Sequence, residues 1–336
     1  MPEQKATVCV AGASGLVGSN IVKAALARGL RVNGTLRDHR AKTKAPYLQA
    51  LPGGAERLTL FSAQMSSSTA FDAAMAGTDC VFIACLIPVY AGADATPAKH
   101  MDDQRGYAEI IMPTVEGCLN IMRSAARNNV RKVVICSSTS STNPIPAVAV
   151  KSETEHWSDE VEQCRAGKYT SATKTVMEKA ATAFAAKHGM RLSIILPTGM
   201  FGPVILPEHL DGNPHAWLRR ALHQGQPRHQ RMPNDSSSMS HLHDLAALFL
   251  AAYENADACG RYFGVYDSWH WQDIYAELHE LLPDMKMPTA LQEAALPATG
   301  FDFSRRDSLG VTMRDVPTQL RETIEWLRTE PFGTSA

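Results

Sequence analysis

Long apolar runs are missing from this sequence: no stretch reaches the roughly 18 residues that a membrane-spanning helix needs. The first residues also lack the basic, apolar and small-residue order of a signal peptide. An excess of basic charge is missing too, since 33 Lys and Arg stand against 34 Asp and Glu for a net charge of −1. We therefore expect a cytoplasmic protein that binds neither membrane nor nucleic acid.

The sequence also lacks the cysteine spacing of a disulfide framework or a zinc site. The seven cysteines are odd in number and contain no Cys-x-x-Cys motif, and most lie in apolar segments, which are the surroundings of Cys9, Cys80, Cys85, Cys118 and Cys136. This pattern predicts reduced core cysteines rather than disulfides or zinc ligands. His241 and His243 resemble a metal pair, but Asp244 is a plausible helix N-cap there, and the sequence predicts no metal site.

What the sequence does contain is an alternation of short apolar strands and helices over its first 196 residues. The predicted strands are Thr7–Ala11, Arg31–Leu36, Leu58–Phe61, Cys80–Cys85, Lys132–Cys136 and Leu192–Leu196. Helical spacing lies between them, at Leu16–Arg28, Thr69–Ala76, Pro113–Asn128 and Ala172–Lys187. Repeated strand–helix units predict an α/β fold with a Rossmann-type, doubly wound parallel sheet.

After Pro197 the pattern loosens and Pro and Gly become frequent. We expect a smaller, discontinuous C-terminal lobe that binds substrate over the carboxyl ends of the strands. The predicted division assigns residues 1–196, plus about 235–252, to a dinucleotide-binding domain. It assigns residues 197–234 and 253–336 to the substrate-binding lobe.

A glycine-rich turn joins the first strand to the first helix. Gly12, Gly15 and Gly18 are spaced Gly-x-x-Gly-x-x-Gly. The first glycine permits the tight turn, the second lets the backbone approach a pyrophosphate, and the third allows close packing of the helix. The helix N-terminus then offers free N–H groups to the phosphates. The motif predicts dinucleotide binding.

The end of the second strand indicates the form of the dinucleotide. NAD-binding proteins usually place an acidic residue there for the ribose 2′-hydroxyl. Here Arg37 comes first, followed by Asp38, Arg40, Lys42 and Lys44. Because guanidinium groups match phosphate geometry, the sequence favours NADP. Asp38 leaves NAD as the alternative.

These motifs resemble those of the extended short-chain dehydrogenases/reductases, in the dihydroflavonol reductase and cinnamoyl-CoA reductase group. The resemblance rests on segments spread over nearly the whole chain: VCVAGASGLVGSNIV, TLRD, PTVEGCLNIM, VRKVVICSS, KTVMEKAA, ILPTGMFGP, HLHDLAALFLAAYE and GRYF. The Asn-Trp-Tyr-Cys-Tyr signature of true cinnamoyl-CoA reductases is absent, so that substrate is disfavoured.

The resemblance implies roles for individual residues. Those implied to bind the cofactor are Gly12, Ser14, Gly15, Leu16, Val17, Gly18, Arg37, Lys44, Gln64, Met65, Ala84, Tyr169, Lys174 and Pro197. Gln64 and Met65 stand where the family has Asp followed by Leu or Val. Ser138, Tyr169 and Lys174 are implied to be catalytic, and Ser138, Asn143 and Met200 to contact the substrate.

One departure concerns the chemistry. The family motif is Tyr-x-x-x-Lys, but four residues before Lys174 stands Thr170, and Tyr169 is five residues away. On a regular helix, four residues turn side chains about 40° apart and five about 140°. Tyr169 then reaches the site only if it lies at an irregular helix start or if a π-bulge absorbs the extra residue. Otherwise water or Thr170 is the alternative proton donor.

The sequence therefore predicts an NADP-dependent reductase that transfers hydride to a ketone or aldehyde carbonyl of a bulky apolar or aromatic molecule. In the family, tyrosine donates the proton, and a neighbouring Lys⁺ lowers its pKa from about 10. The alternatives are a dinucleotide-binding regulatory protein without turnover, and an epimerase, dehydratase or hydroxysteroid-type dehydrogenase on the same fold. We expect a monomer or a homodimer.

Overall fold

A seven-stranded parallel sheet forms the centre of the computed structural model, which describes residues 6–40 and 42–333. Within these residues the strands are β1 (Thr7–Ala11), β2 (Arg31–Leu36), β3 (Leu58–Ser62), β4 (Cys80–Ile83), β5 (Lys132–Cys136), β6 (Val150–Lys151), β7 (Arg191–Leu196), β8 (Met200–Phe201), β9 (Ser236–His241), β10 (Gly260–Phe263), β11 (Asp267–His270) and β12 (Gly300–Phe301). The order in the central sheet is β10-β7-β5-β4-β1-β2-β3. This is the doubly wound arrangement that the sequence predicts.

Helices cover both faces of the sheet and also form part of the smaller lobe. They are α1 (Leu16–Ala27), α2 (Ala45–Gln49), α3 (Gly54–Arg57), α4 (Asp72–Met75), α5 (Asp103–Arg105), α6 (Met112–Arg127), α7 (Glu160–Arg165), α8 (Tyr169–Lys187), α9 (His215–Gln224), α10 (Leu242–Glu254), α11 (Trp271–Leu281), α12 (Ser304–Asp307) and α13 (Val316–Arg328). A π-helical segment, Gly106–Ile111, joins α5 to α6. None of the helices in the described part of the chain is both long and apolar enough to cross a membrane.

Burial on both faces of the sheet explains why β1 is an almost unbroken apolar run. Val8 and Val10 of β1 face a core with α1 and α10, while Cys9 and Ala11 face a second core with α6 and α8. All four side chains are fully buried. A parallel sheet covered on both faces requires such residues at every position.

The strand order reverses between β1 and β4. From β1 the chain proceeds to β2 and β3 on one side, then returns to β4 and continues to β5 and β7 on the other. Ligands of open α/β sheets bind beyond the carboxyl ends of the strands at such a switch point. Gly12 follows β1 there, and Ala84 follows β4.

The smaller lobe contains the three-stranded sheet β11-β9-β8 and the helices α9, α11 and α13. Its own core includes Phe201, Trp217, Trp271 and Tyr275. The predicted division needs a correction at residues 253–336, because β10 lies within them and pairs in parallel with β7 as the edge strand of the central sheet. The four residues of β10, Gly-Arg-Tyr-Phe, are too few to reveal from the sequence which sheet the strand joins.

Candidate active site

The glycine-rich turn is shaped by close packing. Gly12 has φ +87°, and a Cβ there would lie 2.6 Å from Cys85 Cβ. A Cβ on Gly18 would lie 2.0 Å from the Gly12 carbonyl oxygen. Both positions therefore exclude every side chain, and the turn holds α1 directly against the end of β1.

The N-terminus of α1 is open to a ligand. Gly15 is its N-cap, no side chain caps the helix, and the first turn carries no acidic residue. The first N–H groups, around Ser14, Leu16 and Val17, are therefore available to anionic oxygens. A Cβ on Gly15 would meet only ordinary or slightly tight contacts, 3.3 Å from the Gly12 oxygen and 3.5 Å from the Ala84 oxygen. The turn thus fits a pyrophosphate.

Arg37 and Lys44, the two predicted 2′-phosphate ligands, differ in their surroundings. Arg37 is exposed immediately after β2, and within the described residues it forms no ion pair. Lys44 is already paired, because its Nζ lies 2.6 Å from Oε1 of Glu208 in the lobe. His209, next in the chain, contacts the Ser14 carbonyl oxygen through Nε2 at 3.0 Å. Residues of the lobe therefore contact both the glycine-rich turn and the segment that follows β2.

The remaining predicted cofactor residues lie at the carboxyl edge of the sheet. Gln64 is exposed just after β3, and the Met65 carbonyl accepts a hydrogen bond from Asn120 Nδ2 at 2.9 Å. Ala84 N–H donates to the Ala11 oxygen at 2.9 Å, which holds the end of β4 against the end of β1 at the switch point. Pro197 is buried directly after β7. Their contacts with a cofactor stay predictions.

Ser138 begins a tight turn after β5. Its Oγ accepts a hydrogen bond from the Ser140 N–H at 3.2 Å, and the Thr139 N–H donates to the Pro197 oxygen at 3.3 Å. The turn is therefore tied to the end of β7. Behind it, Ser137 donates to the buried Glu178, whose Oε2 lies 3.0 Å from Arg261 Nε. This buried ion pair fixes the turn that presents Ser138.

Lys174 and Thr170 share one face of α8. Lys174 is buried, and its Nζ donates to the Leu86 oxygen at 2.6 Å. Thr170 Oγ1 donates to the Val89 oxygen at 2.6 Å. Both side chains therefore face the segment that follows β4. Burial lowers the pKa of Lys174 below its ordinary value, which makes the ammonium a better proton source.

Tyr169 points elsewhere. Its hydroxyl donates to Asp103 Oδ1 at 2.7 Å, with the Met101 oxygen at 3.3 Å. Its ring packs against Gly106, where a Cβ would lie 2.4 Å from the ring. Burial and the Asp103 carboxylate raise the pKa of Tyr169 to about 12. A carboxylate partner makes the phenol a weaker acid, the opposite of what a neighbouring lysine does.

The expected convergence of Tyr169 and Lys174 is thus not found. Tyr169 is the first residue of α8, and α8 is an α-helix throughout, so no π-bulge absorbs the extra residue. The π-helical segment lies instead in the neighbouring Gly106–Ile111. With regular geometry, the five-residue spacing turns the phenol away from the lysine.

The predicted substrate residues lie in two different places. Asn143 is exposed, and its Oδ1 accepts a hydrogen bond from Lys151 Nζ at 2.5 Å. Met200 lines a cavity of about 270 Å³ that begins just beyond Pro197. The cavity wall consists of Thr198, Gly199, Met200, Phe201, Asn213, Pro214, Arg228, Ser237, Met239, Trp271 and Ile274. The sequence offered no signal for Arg228 or Trp271, because only the folded lobe brings them to this cavity.

A cluster of two histidines and a glutamate lies where the sequence predicts no metal site. The donor atoms of His241, His243 and Glu322 lie within 4.8 Å of one another. However, Arg314 Nε donates to both Glu322 oxygens at 3.0 Å, and burial lowers the pKa of His241 to about 3. His241 Nδ1 accepts from the His243 N–H at 3.3 Å. The glutamate is therefore neutralised by arginine, and the absence of a metal site stays a prediction.

An open glycine-rich helix N-terminus at the switch point of a doubly wound sheet defines a dinucleotide-binding Rossmann protein. The family model described as the NAD dependent epimerase/dehydratase family matches residues 8–264. The chain belongs to this family, in agreement with the resemblance to extended short-chain dehydrogenases/reductases.

Individual relatives cover nearly the whole chain. The chain is 30% identical over 332 residues to a cinnamoyl-CoA reductase of Medicago truncatula, and the alignment covers 97% of each protein. It is 32% identical over 319 residues to the dihydroflavonol 4-reductase of Zea mays, which covers 93% of the chain and 85% of the relative.

Solved structures agree in fold. Vestitone reductase of alfalfa (Medicago sativa) superposes with a TM-score of 0.76 at 22% identity, over 98% of this chain and 100% of that one. A yeast methylglyoxal/isovaleraldehyde reductase complexed with NADPH superposes with a TM-score of 0.76 at 20% identity, over 96% of this chain and 99% of that one. At this identity the superpositions establish the fold.

Proposed function

We propose that this protein is an NADPH-dependent oxidoreductase that reduces the carbonyl group of a small molecule. The observation that carries the proposal is the open N-terminus of α1 beside Arg37, which has no ion-pair partner among the described residues, with Ser138, Lys174 and a cavity of about 270 Å³ along the same edge of the sheet. The relatives named above are reductases, and one of the structures holds NADPH.

The chain's own residues would hold the cofactor along this edge. The N–H groups after Gly15 bind the pyrophosphate, and the Arg37 guanidinium binds the 2′-phosphate through charge-assisted hydrogen bonds. Pro197 and Ala84 would hold the nicotinamide end. When bound, NADPH supplies the hydride.

Ser138 and Lys174 serve the carbonyl oxygen. The Ser138 hydroxyl donates a hydrogen bond to it, and that bond strengthens as negative charge develops there. The proton then comes from the lysine face of α8: Thr170 passes its hydroxyl proton to the oxygen and receives one from the Lys174 ammonium, which is recharged from solvent. Thr170 and Lys174 fit this role because they stand four residues apart and both face the segment after β4.

The activity is tested by NADPH oxidation at 340 nm against aromatic ketones, aldehydes, acyl-CoAs and dihydroflavonols. We expect at least one carbonyl class to be reduced, and we expect Lys174→Met and Ser138→Ala to lower kcat by a factor of about 100 or more while NADPH still binds. No turnover across the panel, with NADPH binding measured by calorimetry, would contradict the proposal.

A second candidate function is a dinucleotide-binding protein that does not turn over. One observation favours it: the phenol next to the lysine motif is bound to Asp103 instead of facing Lys174. Such a protein binds NADPH but shows the same absence of turnover in the wild type and in Lys174→Met. A difference between these two proteins therefore excludes it.

The compartment, partners and assembly state are also part of this proposal. All seven cysteines are free, which suits a reducing compartment such as the cytoplasm. The partner is a small-molecule substrate, with no role for nucleic acid or a membrane. The protein acts as a monomer or homodimer, and sedimentation distinguishes the two.

A further inference from the structure

Among the residues that the structure describes, Arg228 is the one charged residue in the wall of the cavity beyond Pro197. It lies in the segment between α9 and β9, with its guanidinium carbon 5.1 Å from the centre of the Trp271 ring. Within the described residues no carboxylate lies within 4.0 Å of this guanidinium, and it donates no hydrogen bond. An arginine held over an aromatic ring without an acidic partner has its donor fork free for a ligand.

The electrostatic surroundings agree with this geometry. Burial lowers the pKa of Arg228 below its ordinary value, and the opposing influence comes from the Tyr275 phenol rather than from an acidic side chain. The cavity wall contains no Asp or Glu. Among the described residues, no acidic side chain of the cavity wall compensates the positive charge of Arg228.

The rest of the wall has two characters. Met200, Phe201, Met239, Trp271 and Ile274 form apolar surface. Thr198, Asn213 and Ser237 provide a few polar groups. Such a mixture orients a small molecule by its polar end and buries its body. At about 270 Å³, the cavity is at the small end of ligand sites.

The cavity adjoins the residues that serve the carbonyl. Thr198, Gly199 and Met200 follow Pro197 directly, and the Pro197 oxygen accepts the hydrogen bond from Thr139, the neighbour of Ser138. The cavity that Arg228 lines thus begins one residue after Pro197, to which the turn that carries Ser138 is hydrogen-bonded.

We propose that Arg228 binds the carboxylate of the substrate, so that the protein reduces keto or aldehyde acids with an apolar body in preference to neutral carbonyl compounds. This inference rests on the proposed reductase function and specifies its substrate class. The guanidinium fork binds both carboxylate oxygens and thereby fixes the distance between the acid group and the reacting carbonyl. Apolar contacts with Trp271 and the methionines hold the body of the molecule.

The test compares phenyl-substituted keto acids of increasing spacing between carbonyl and carboxylate with the methyl ester of each. We expect the wild type to favour one acid over its ester by at least tenfold in kcat/KM. Arg228→Leu should abolish this preference, because its kcat/KM for the acid should fall at least tenfold more than its kcat/KM for the ester. Arg228→Lys should restore only part of it, because the ammonium lacks the fork. Arg231→Leu removes the same charge from the same segment, outside the cavity wall, and should behave like the wild type.

The outcomes separate the substrate class from the activity. If acids and esters are reduced equally well by wild type and Arg228→Leu, the carboxylate assignment is wrong and the reductase stands. If a phosphate monoester of the same skeleton is preferred over the acid, the assignment is also wrong. If nothing is reduced, calorimetry with 3-phenylpropanoate and the NADPH-bound protein decides: binding that Arg228→Leu abolishes supports a carboxylate site, and binding that is absent or unaltered overturns it.

Discussion

The hydroxyl of Tyr169 donates a hydrogen bond to Asp103 Oδ1 over 2.7 Å, while the ammonium of Lys174, five residues later on the same helix, donates to the Leu86 oxygen. The two groups that the sequence expects in one site are thus held by opposite neighbours. The residue that shares the lysine face is Thr170.

Tyr169→Phe and Thr170→Val should therefore have contrasting effects. Tyr169→Phe removes the bond to Asp103, so we expect a loss of about 1 kcal/mol of stability with kcat within about twofold of the wild type. Thr170→Val keeps the side-chain shape but removes the hydroxyl, and should lower kcat about 100-fold. Steady-state kinetics and thermal unfolding measure both.

Thr170→Ser is the matched control, since it retains a hydroxyl and should keep most of the activity. A loss of about 100-fold in Tyr169→Phe, with Thr170→Val nearly unaffected, would instead identify the tyrosine as the proton donor.

The pH dependence should follow Lys174. Burial lowers its pKa in the folded protein below the ordinary lysine value, and the protonated ammonium is the active form. Reduction should accordingly slow as pH rises through this lowered pKa. Between this lowered pKa and the ordinary lysine pKa, the unfolded chain binds more protons than the folded protein. The free energy of unfolding therefore rises with pH in this range. Activity and stability should thus change in opposite directions.

Initial rates and denaturant unfolding over a series of pH values measure these two trends, and Lys174→Met should lose both. A rate profile whose high-pH limb survives in Lys174→Met would assign the titration to another group.

Glu208→Gln should strengthen NADPH binding. Glu208 Oε1 lies 2.6 Å from Lys44 Nζ and competes with a 2′-phosphate for that ammonium. Because both groups are partly exposed, the gain should be only a few-fold in Kd, with NADH binding unchanged. Asp211→Asn makes the same change of charge in the same short helical segment and serves as the control. Equal gains for NADPH and NADH would argue against a role of Lys44 at the 2′-phosphate.

Arg37→Ala addresses the other half of the 2′-phosphate site. Arg37 is exposed after β2 and carries no ion pair in the described part of the chain, so its guanidinium is free for a phosphate. Loss of its charge-assisted hydrogen bonds should weaken NADPH binding about 10- to 100-fold and leave NADH binding unchanged. Titration of the two cofactors by calorimetry checks this, and equal weakening of both would point to a general structural effect.

The glycine-rich turn allows a matched pair of substitutions. Gly18→Ala places a Cβ 2.0 Å from the Gly12 oxygen and should prevent the turn from closing, with a large loss of stability. Gly15→Ala meets its nearest atom at 3.3 Å and has an extended backbone, so the protein should fold. Its methyl group should still weaken NADPH binding, because it stands on the surface that approaches the pyrophosphate. Calorimetry and thermal unfolding together separate the two effects, and a Gly15→Ala protein with unaltered affinity would contradict this assignment.

Much of the fold could be predicted because local patterns determine it. Strands Thr7–Ala11, Arg31–Leu36 and Lys132–Cys136 have the predicted bounds, and the helix predicted at Leu16–Arg28 ends one residue earlier, at Ala27. Thr7–Ala11 and Lys132–Cys136 are largely apolar runs, and the first helix has regular apolar spacing. Neither pattern depends on distant parts of the chain. The sequence does not predict that Gly260–Phe263 joins the central sheet, because its partner β7 lies more than 60 residues earlier.

The sequence by itself determined the strand–helix alternation of the doubly wound sheet, the glycine-rich turn, the position of Arg37 after β2 and the position of Lys174 on α8, because local spacing fixes each of them. Only the tertiary structure decided that Tyr169 turns to Asp103, that Lys44 pairs with Glu208, and that Arg228 lies over Trp271 in the cavity. Those relationships join segments from about 40 to more than 160 residues apart. They arise from the packing of the lobe and of the neighbouring helices, which no local pattern encodes.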